Sequence, residues 1–508
     1  MIWRHRHVLA YGVLSTSLAL ITACDARAPS TAPTDSESAD LRLARIAENL
    51  QRPLVIEGQP AERWSIDERM QQFSVPGVSV AIIDEGQLTA AKAWGVKVAG
   101  KDEPVTTETI FQAGSVSKPV AAVLTLSLVG DGMLRLDQPI NDILKSWKVP
   151  DNEFTDVVPV TLHHVITHQA GFTRFGYLIG RSGGTVPGMA ELLRGGINGW
   201  PAIEVESVPG SRHAYSNAGY CVLQLALEDT SNLSLHDLAV SRLFGPLGMA
   251  HSTFNEPLSP DRLASAASGH RRERAGMTSK PVPVEGKAEI APGATGGLWS
   301  TPSDVARLAV EVMRAYRGEG ERLITPDLAG QFLTPQVENE GLGIYLEGVG
   351  PTLRAGHKGG MVGFVAQLVF YPNAGKGAVL MANSEGGRWL NQELIAAIAD
   401  EFEWPDYPVH RRLGTATPEQ LRELVGVYSL DASPDTTFTV KLEEGAAIGQ
   451  INQYPPFELS PTTDTDLFVL PRESLEIFFR RSEDGTISKV TLRRAGDSGN
   501  SYSRRPES

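Results

Sequence analysis

The sequence contains very little cysteine, with only Cys24 and Cys221 among 508 residues. A framework of several disulfides is therefore excluded, and the fold must be held by its apolar core. The chain also lacks any run rich in Lys and Arg, and its formal net charge is -14, so a nucleic-acid partner is not expected. After the first thirty residues no segment reaches 18 uninterrupted apolar residues, which predicts no membrane-spanning helix there. The length of 508 residues predicts two or three domains.

The N-terminus has the pattern of a bacterial export signal. Two arginines precede an apolar stretch over 8–21, which ends in the small residues Thr22 and Ala23 followed by Cys24. A short apolar region of this kind predicts a cleaved signal peptide over 1–23, and the cysteine after it resembles the lipobox of bacterial lipoproteins. We therefore expect a lipid on Cys24, and a protein anchored in the bacterial cell envelope that faces the periplasm. The alternative is an ordinary cleavage site beside an incidental cysteine.

Composition divides the rest of the chain into four segments. A stretch rich in Pro, Ser, Thr and acids predicts a flexible tether, and a second stretch rich in Pro and charge predicts a linker. After the linker, apolar and polar residues alternate between turn signals, which predicts a small β-barrel or β-meander. The predicted segments are a tether over 24–45, a main domain over 46–404, a linker over 405–417 and a small all-β domain over 418–508.

The main domain carries strand-like runs near both of its ends. The runs lie at 78–83, 88–95, 362–370 and 377–382. Helical patterns fill the region between them, and a helix over 391–403 follows. This order predicts one sheet built from both ends of the domain, with an inserted helical lobe.

Ser115 and Lys118 form an S-x-x-K motif that occurs once in the chain. Pro119 lacks an N–H and fits only the first turn of a helix, so Ser115 is predicted at or next to the helix start, one turn from Lys118 on the same face. The helix N-terminus would stabilise a developing oxyanion. Burial and a cationic neighbour would lower the pKa of Lys118 and let its amine take the Ser115 proton. The alternative is a capping serine with a surface lysine.

Two later segments carry further polar groups. Tyr215 and Asn217 are two residues apart, so in an extended or turn segment they can point the same way, a phenol to pass protons and an amide to hold an amine or a carbonyl. The segment His357-Lys358-Gly359-Gly360 leads into the run at 362–370, where glycines let a substrate approach the backbone. Its alternative is a glycine-rich turn. Tyr371-Pro372-Asn373 repeats the first pattern and is predicted to be a hairpin turn.

These three elements, in this order and spacing, resemble the serine β-lactamase and penicillin-binding-protein superfamily over residues 60–400. The likeness is to the class C β-lactamase-related branch, which also holds esterases and D-amino-acid-specific peptidases. It implies an α/β (α+β) fold, with an antiparallel sheet flanked by helices beside a helical lobe. It also implies Ser115 as the acylated nucleophile, with Lys118 and Tyr215 as shared acid and base. The all-β segment resembles the lipocalin-like C-terminal module of some relatives.

The same resemblance assigns supporting roles. Asn217 would position the reacting groups, and the N–H groups of Ser115 and Gly360 would form the oxyanion hole. The Lys-Thr-Gly triad of the family is His357-Lys358-Gly359 here, so a part-charged imidazole replaces the lysine. Efficient β-lactamase activity becomes less expected, and hydrolysis of a small ester, amide or D-amino-acid peptide more so. The alternatives are a penicillin-binding or β-lactam-sensing protein with little turnover, or a weak β-lactamase. No cofactor or metal is implied.

Two other motifs are compatible with different chemistry. Gly180-Arg181-Ser182-Gly183-Gly184 matches the G-x-S-x-G nucleophile elbow, but its surroundings are typical of a glycine-rich loop. His163, His164 and His168 form a cluster in which the last two have the i, i+4 spacing of metal ligands. No Glu follows His164 as in the zinc-protease motif, and a structural role for His168 is the better interpretation.

Overall fold

A computed structural model describes residues 35–173, 180–181, 187–196, 200–255, 257–275, 278–284, 289–320, 322–431, 433–497 and 499–505. The predicted signal peptide, Cys24 and Ser182 lie outside these described residues. Within them, no helix combines the length and the apolar character needed to cross a bilayer.

A six-stranded antiparallel sheet is the centre of the main domain in the described chain. Its strands are β1 (Gly77–Asp84), β2 (Gln87–Gly95), β3 (Tyr345–Glu347), β4 (Arg354–Met361), β5 (Phe364–Tyr371) and β6 (Lys376–Ala382). The spatial order is β3-β4-β5-β6-β1-β2, and every neighbouring pair is antiparallel. The prediction of one sheet built from both ends of the domain is confirmed. The turn at Tyr371-Pro372-Asn373 joins β5 to β6, as predicted.

Strand β1 shows why this sheet is buried on both faces. Its side chains alternate between two cores, as the period of a strand requires. Ala81 and Ile83 contact the larger core, which also holds the helical lobe, whereas Val80 and Ile82 contact the smaller one. Both sets of side chains are almost completely buried. Helices must therefore cover both faces of the sheet.

Six long helices of the described chain cover the two faces of the sheet. They are α1 (Asp35–Glu48), α2 (Ile66–Phe73), α3 (Ser117–Gly130), α4 (Asn217–Ser231), α5 (Pro302–Tyr316) and α6 (Gly387–Glu401). Helices α1, α2 and α6 contribute to the smaller core, and α3, α4 and α5 to the larger one. The described shorter helices are Ile140–Ile143, Leu162–Ile166, Met189–Arg194, Leu235–Ala239, Gly245–Leu247, Pro260–Ser265, Pro326–Phe332 and Pro418–Leu424.

The predicted tether over 24–45 ends earlier than expected, because helix α1 begins at Asp35. Leu43 and Ile46 are buried in the smaller core, although the composition of the preceding residues is that of a solvated segment. Arg42 and Arg45 of the same helix both donate to the carboxylate of Glu401 in α6. Packing against α6, far away in the sequence, therefore stabilises a helix that local composition did not predict.

The predicted linker over 405–417 also contains regular structure. Its segment Val409–Arg411 pairs in parallel with Leu54–Ile56, which ties the linker to the main domain. The other short strands are Phe111–Gln112, Gly180–Arg181, His270–Ala275, Thr278–Pro283, Glu289–Ile290 and Trp299–Ser300.

The C-terminal residues form a separate all-β domain, as predicted. A nine-stranded sheet within the described chain curls into a nearly closed barrel around its own apolar core. Its strands are Gly426–Leu430, Ser433–Glu443, Ala446–Ile451, Phe457–Glu458, Ser460–Pro461, Leu467–Leu470, Leu475–Arg481, Ile487–Arg494 and Asn500–Arg504.

Candidate active site

Ser115 lies in a single 3₁₀ turn, Gly114–Val116, directly before helix α3. Val116 is the N-cap, and Pro119 is the third residue of the helix, within the first turn that its missing N–H allows. Ser115 is therefore next to the helix start, as the position of Pro119 predicted. The first N–H groups of α3 have no intrahelical acceptors, which leaves partial positive charge beside the Ser115 hydroxyl.

The amine of Lys118 is completely buried and contacts three oxygen atoms. Its Nζ lies 3.1 Å from Ser115 Oγ, 2.9 Å from Asn217 Oδ1 and 2.8 Å from the carbonyl oxygen of Thr295. The role of Thr295 could not be predicted from the sequence, because it contributes a backbone carbonyl and not a side chain. The surrounding segment Gly293–Gly297 is rich in glycine, which indicates an unusual backbone, and it forms a π-helical turn. The surface-lysine alternative is wrong.

Burial lowers the pKa of the Lys118 amine to about 7. The predicted cationic neighbour is not a cause of this shift. Instead, Cys221 and then the carboxylate of Glu340 act in the opposite direction and raise the pKa of Lys118. A neutral amine has two N–H donors, and two of its three neighbours, the oxygens of Asn217 and Thr295, can only accept. Its lone pair is then left for Ser115.

Tyr215 completes the contacts of the serine hydroxyl. Its phenol donates to Ser115 Oγ over 2.9 Å, and Lys118 Nζ lies 4.8 Å from the centre of its ring. Burial raises the pKa of the Tyr215 phenol, so it keeps its proton at neutral pH. The next residue, Ser216, caps helix α4 by accepting from the Gly219 N–H, which makes Asn217 the first helical residue. Tyr215 and Asn217 therefore face Ser115 and Lys118 from one helix start.

The segment from His357 to Gly360 lies inside strand β4, not before a strand as predicted. Only residues 354–356 of β4 pair with β3, so the edge from His357 onward has no strand partner on that side in the described chain. A Cβ added to Gly359 would lie 1.9 Å from the Ala113 carbonyl oxygen, and one added to Gly114 would lie 2.7 Å from the Gly360 nitrogen. Strand and turn thus meet through backbone atoms, which brings Gly360 next to the turn of Ser115.

His357 is buried and uncharged, so the expectation of a part-charged group is wrong. Burial, together with the nearby Lys118, lowers its pKa to about 3. Its Nδ1 lies 2.8 Å from the carbonyl oxygen of Lys358 and donates to it, which assigns the ring proton to that nitrogen. The next residue, Lys358, forms an ion pair with Asp497 of the β-domain. The side chain at position 357 is thus neutral, and the charge of its neighbour is paired.

The three clustered histidines diverge. His163 Nε2 lies 3.1 Å from Gln336 Oε1, and His164 Nδ1 accepts from the Thr161 N–H at a helix start. His168 turns into the interior, where it is buried against Tyr215. In the part of the chain that the structure describes, no group of three or more His, Cys, Asp or Glu side chains is arranged to hold a metal.

The C-terminal β-domain contributes to a cavity beside the site. The cavity has a volume of about 670 Å³ and is lined by Tyr215 and His357 of the main domain and by Leu492 and Tyr502 of the β-domain, among others. That the β-domain lies next to the site could not be predicted from the sequence, because the contact depends on how two domains pack.

The two adjacent glycines of β4 provide a matched test of this backbone approach. Gly359→Ala should push the strand away from Ser115 and lower activity at least about tenfold, because its Cβ meets a backbone carbonyl. Gly360→Ala should fold normally and serve as the control, since its Cβ meets nothing within 4 Å. Labelling of Ser115 by a fluorophosphonate, together with thermal unfolding, compares the two. Equal labelling rates would contradict the close approach.

Comparison with known proteins agrees with this geometry. A family model described as Beta-lactamase matches residues 65–401. Penicillin-binding protein 4 of Amycolatopsis lactamdurans is 30% identical over 244 residues, which cover 48% of this chain and 61% of that protein. Teichoic acid D-alanine hydrolase of Staphylococcus aureus (strain MRSA252) is 24% identical over 324 residues, which cover 63% of this chain and 73% of that protein.

A solved structure supports the fold over a longer part of the chain. The octameric penicillin-binding protein homologue from Pyrococcus abyssi matches with a TM-score of 0.54 at 22% identity, covering 86% of this chain and 98% of that one. At this identity the likeness concerns the fold alone. The family match covers more than half of the chain, and Ser115 lies within it, in contact with a buried lysine and a tyrosine. The chain therefore belongs to the β-lactamase and penicillin-binding-protein-like family of serine hydrolases.

Proposed function

We propose that this protein hydrolyses a small ester, amide or D-amino-acid peptide through an acyl-enzyme on Ser115. The observation that carries the proposal is the hydrogen-bonded chain from the Tyr215 phenol to Ser115 Oγ and on to Lys118 Nζ. A nucleophile with a base on one side and a proton donor on the other is the arrangement that acyl transfer requires. The family relationship supports the same reaction class.

Acylation begins when Ser115 Oγ attacks the substrate carbonyl carbon and its proton moves to the lone pair of Lys118. The tetrahedral intermediate then collapses, the bond to the leaving group breaks, and the Tyr215 phenol protonates that group. The proton on Lys118 then moves to the phenolate oxygen of Tyr215, which restores both groups. Water, deprotonated by the same groups, then attacks the acyl carbon and releases the acid and Ser115. Asn217 and Thr295 hold the amine in place throughout.

The intermediate's negative charge develops next to the start of helix α3. The N–H groups of Ser115 and Gly360 are the proposed donors to this oxyanion, as the family resemblance implies. The absence of a Cβ at Gly114 and at Gly359 supports this assignment, because it lets strand β4 approach the turn through its backbone. The partial positive charge of the helix start adds to the same stabilisation.

The charge of the site favours an ester or a D-amino-acid peptide over a β-lactam. A substrate carboxylate next to His357 would meet a neutral imidazole, and the charge of the Lys358 amine is already paired with Asp497. The relationship to a teichoic acid D-alanine hydrolase supports a D-alanyl ester or amide. A panel of short-chain p-nitrophenyl esters, D-amino-acid amides and nitrocefin, run on wild type and Ser115→Ala, would identify the preferred class.

We further propose that the protein is lipid-anchored through Cys24 in the bacterial cell envelope. The support is the sequence alone, in which Cys24 follows an apolar stretch and two small residues. Cys24→Ser should move the protein from the membrane fraction to the soluble fraction and remove a lipid adduct from the N-terminal peptide, as mass spectrometry would detect. Cys221→Ser is the control, since that buried thiol plays no part in anchoring. Unchanged fractionation of both variants would refute the anchor.

Ser115 should be the labelled nucleophile. A fluorophosphonate probe should add its mass to the peptide that contains Ser115. Lys118→Met should lower kcat about 100-fold to 10,000-fold with the fold intact, because the general base is lost. Ser182→Ala is the control and should retain full activity. Labelling of Ser182 instead would overturn the assignment. A single burst of product without turnover would identify a penicillin-binding or sensing protein.

The pH profile tests the state of Lys118. The amine acts as a base only when it is neutral, and its pKa is about 7. For wild type, kcat/KM on a p-nitrophenyl ester should therefore fall about tenfold per pH unit below pH 7 and level off above it. The residual activity of Lys118→Met should lack this limb. A limb near the ordinary lysine pKa of about 10.4 would show that burial does not set the base.

A further inference from the structure

A buried carboxylate, Glu340, lies beneath the site and has no part in the reaction proposed above. Its side chain is 1% exposed. One carboxylate oxygen, Oε2, contacts Nε2 of His213, and the other, Oε1, lies 3.7 Å from Nε2 of His168. In the described part of the chain, neither Oε1 nor His168 Nε2 has a hydrogen-bond partner. Burying a carboxylate costs folding free energy, so we expect a buried glutamate beside two histidines to have a structural or functional role.

His168 holds the backbone on both sides of Tyr215. The Ala214 N–H donates to the His168 carbonyl oxygen over 2.8 Å, and the Ser216 N–H donates to its ring nitrogen Nδ1 over 3.0 Å. The imidazole and phenol rings also pack together, with their centres 4.4 Å apart. His168 has a φ of 58°, in the left-handed region that favours glycine, so its contacts must hold it there.

These contacts determine which ring nitrogen carries the proton. Nδ1 accepts from the Ser216 N–H, so it must be unprotonated. Burial and the nearby Lys118 lower the pKa of His168 well below its usual value, so the ring is neutral. Its one proton is therefore on Nε2, which faces Glu340 Oε1. A carboxylate at that place favours this tautomer, as carboxylates do for other functional histidines.

We propose that Glu340 is a positioning residue for Tyr215, and that it acts by fixing the Nε2-protonated tautomer of His168. The opposite tautomer would place an N–H against the Ser216 N–H and release the backbone next to Tyr215. The phenol would then lose its alignment with Ser115 Oγ, although no group that touches substrate had changed. This inference rests on the proposed role of Tyr215 in proton transfer.

The tautomer can be read in the wild-type protein without any activity measurement. Nitrogen NMR of the full-length protein labelled with ¹⁵N-histidine should show an unprotonated Nδ1 and a protonated Nε2 for His168, assigned by the signal that His168→Gln removes. In Glu340→Ala this signal should move towards a mixture of tautomers. A wild-type His168 protonated on Nδ1 would overturn the proposal, and so would an unchanged tautomer in Glu340→Ala.

Kinetics test the consequence for the reaction. Glu340→Ala should lower kcat on p-nitrophenyl acetate about 10-fold to 100-fold with little change in KM, since Tyr215 acts on the reacting atoms. Glu340→Gln should restore part of this loss, because the partial negative charge of an amide oxygen at the same place still favours a proton on Nε2. Glu393→Gln is the matched control: it neutralises a carboxylate buried to a similar degree, paired with Arg69 in the smaller core, and should reduce stability but not kcat.

The outcomes separate this inference from the proposed function. An active Ser115→Ala variant would refute the proposed function. An inactive Ser115→Ala with an unchanged kcat in both Glu340 variants would refute the positioning role alone. A kcat loss of equal size in Glu393→Gln would show that any buried acid has the same effect, which also refutes it. Thermal unfolding of each variant shows whether a lost activity reflects a lost fold.

Discussion

The burial of one amine, that of Lys118, is the constraint on which the rest of the site depends. Moving an ammonium ion from water into a protein interior costs on the order of several kcal/mol. Proteins tolerate such a buried charge only where partner groups compensate for the lost hydration. Here the compensation comes from segments far apart in the sequence: the turn of Ser115, the first residue of helix α4 and the carbonyl of Thr295. A neutral amine donates hydrogen bonds to two acceptors and keeps a lone pair, whereas a protonated amine donates to all three neighbouring oxygens. The two forms are therefore close in energy, and burial brings the pKa of Lys118 to about 7.

The site also requires that two backbone segments approach each other closely, and the six-stranded sheet makes this possible. Strand β4 approaches the Ser115 turn so closely that Gly114 and Gly359 have no room for a side chain. Pairing with β5 from Ala355 to Met361 holds β4 in place. Ser115 lies in a turn and Tyr215 in an irregular segment, but each directly precedes a long helix that packs in the larger core, and these helices fix their positions.

The features that depend on neighbouring residues, such as helix starts and buried strands, could be predicted from the sequence. Pro119 located the start of α3 because a proline ring excludes all but the first turn. The apolar runs at 78–83 and 377–382 predicted strands because short continuous apolar runs are typical of buried strands. The errors concern features that depend on distant parts of the chain. Helix α1 is stabilised by α6, and β4 has glycines that favour turns yet is held as a strand by β5. The charge of His357 could not be predicted, since it depends on burial.

The titratable groups around Ser115 form one electrostatic balance. Burial disfavours charge on Lys118, His168 and His357, and the positive charge of the amine further lowers the pKa of both imidazoles. Glu340 acts against burial, because its carboxylate raises the pKa of Lys118. Without that anion the pKa of the Lys118 amine would be lower, and the amine would be a weaker base. The same buried acid is therefore placed to influence both sides of the site, because it raises the pKa of Lys118 and lies 3.7 Å from Nε2 of His168.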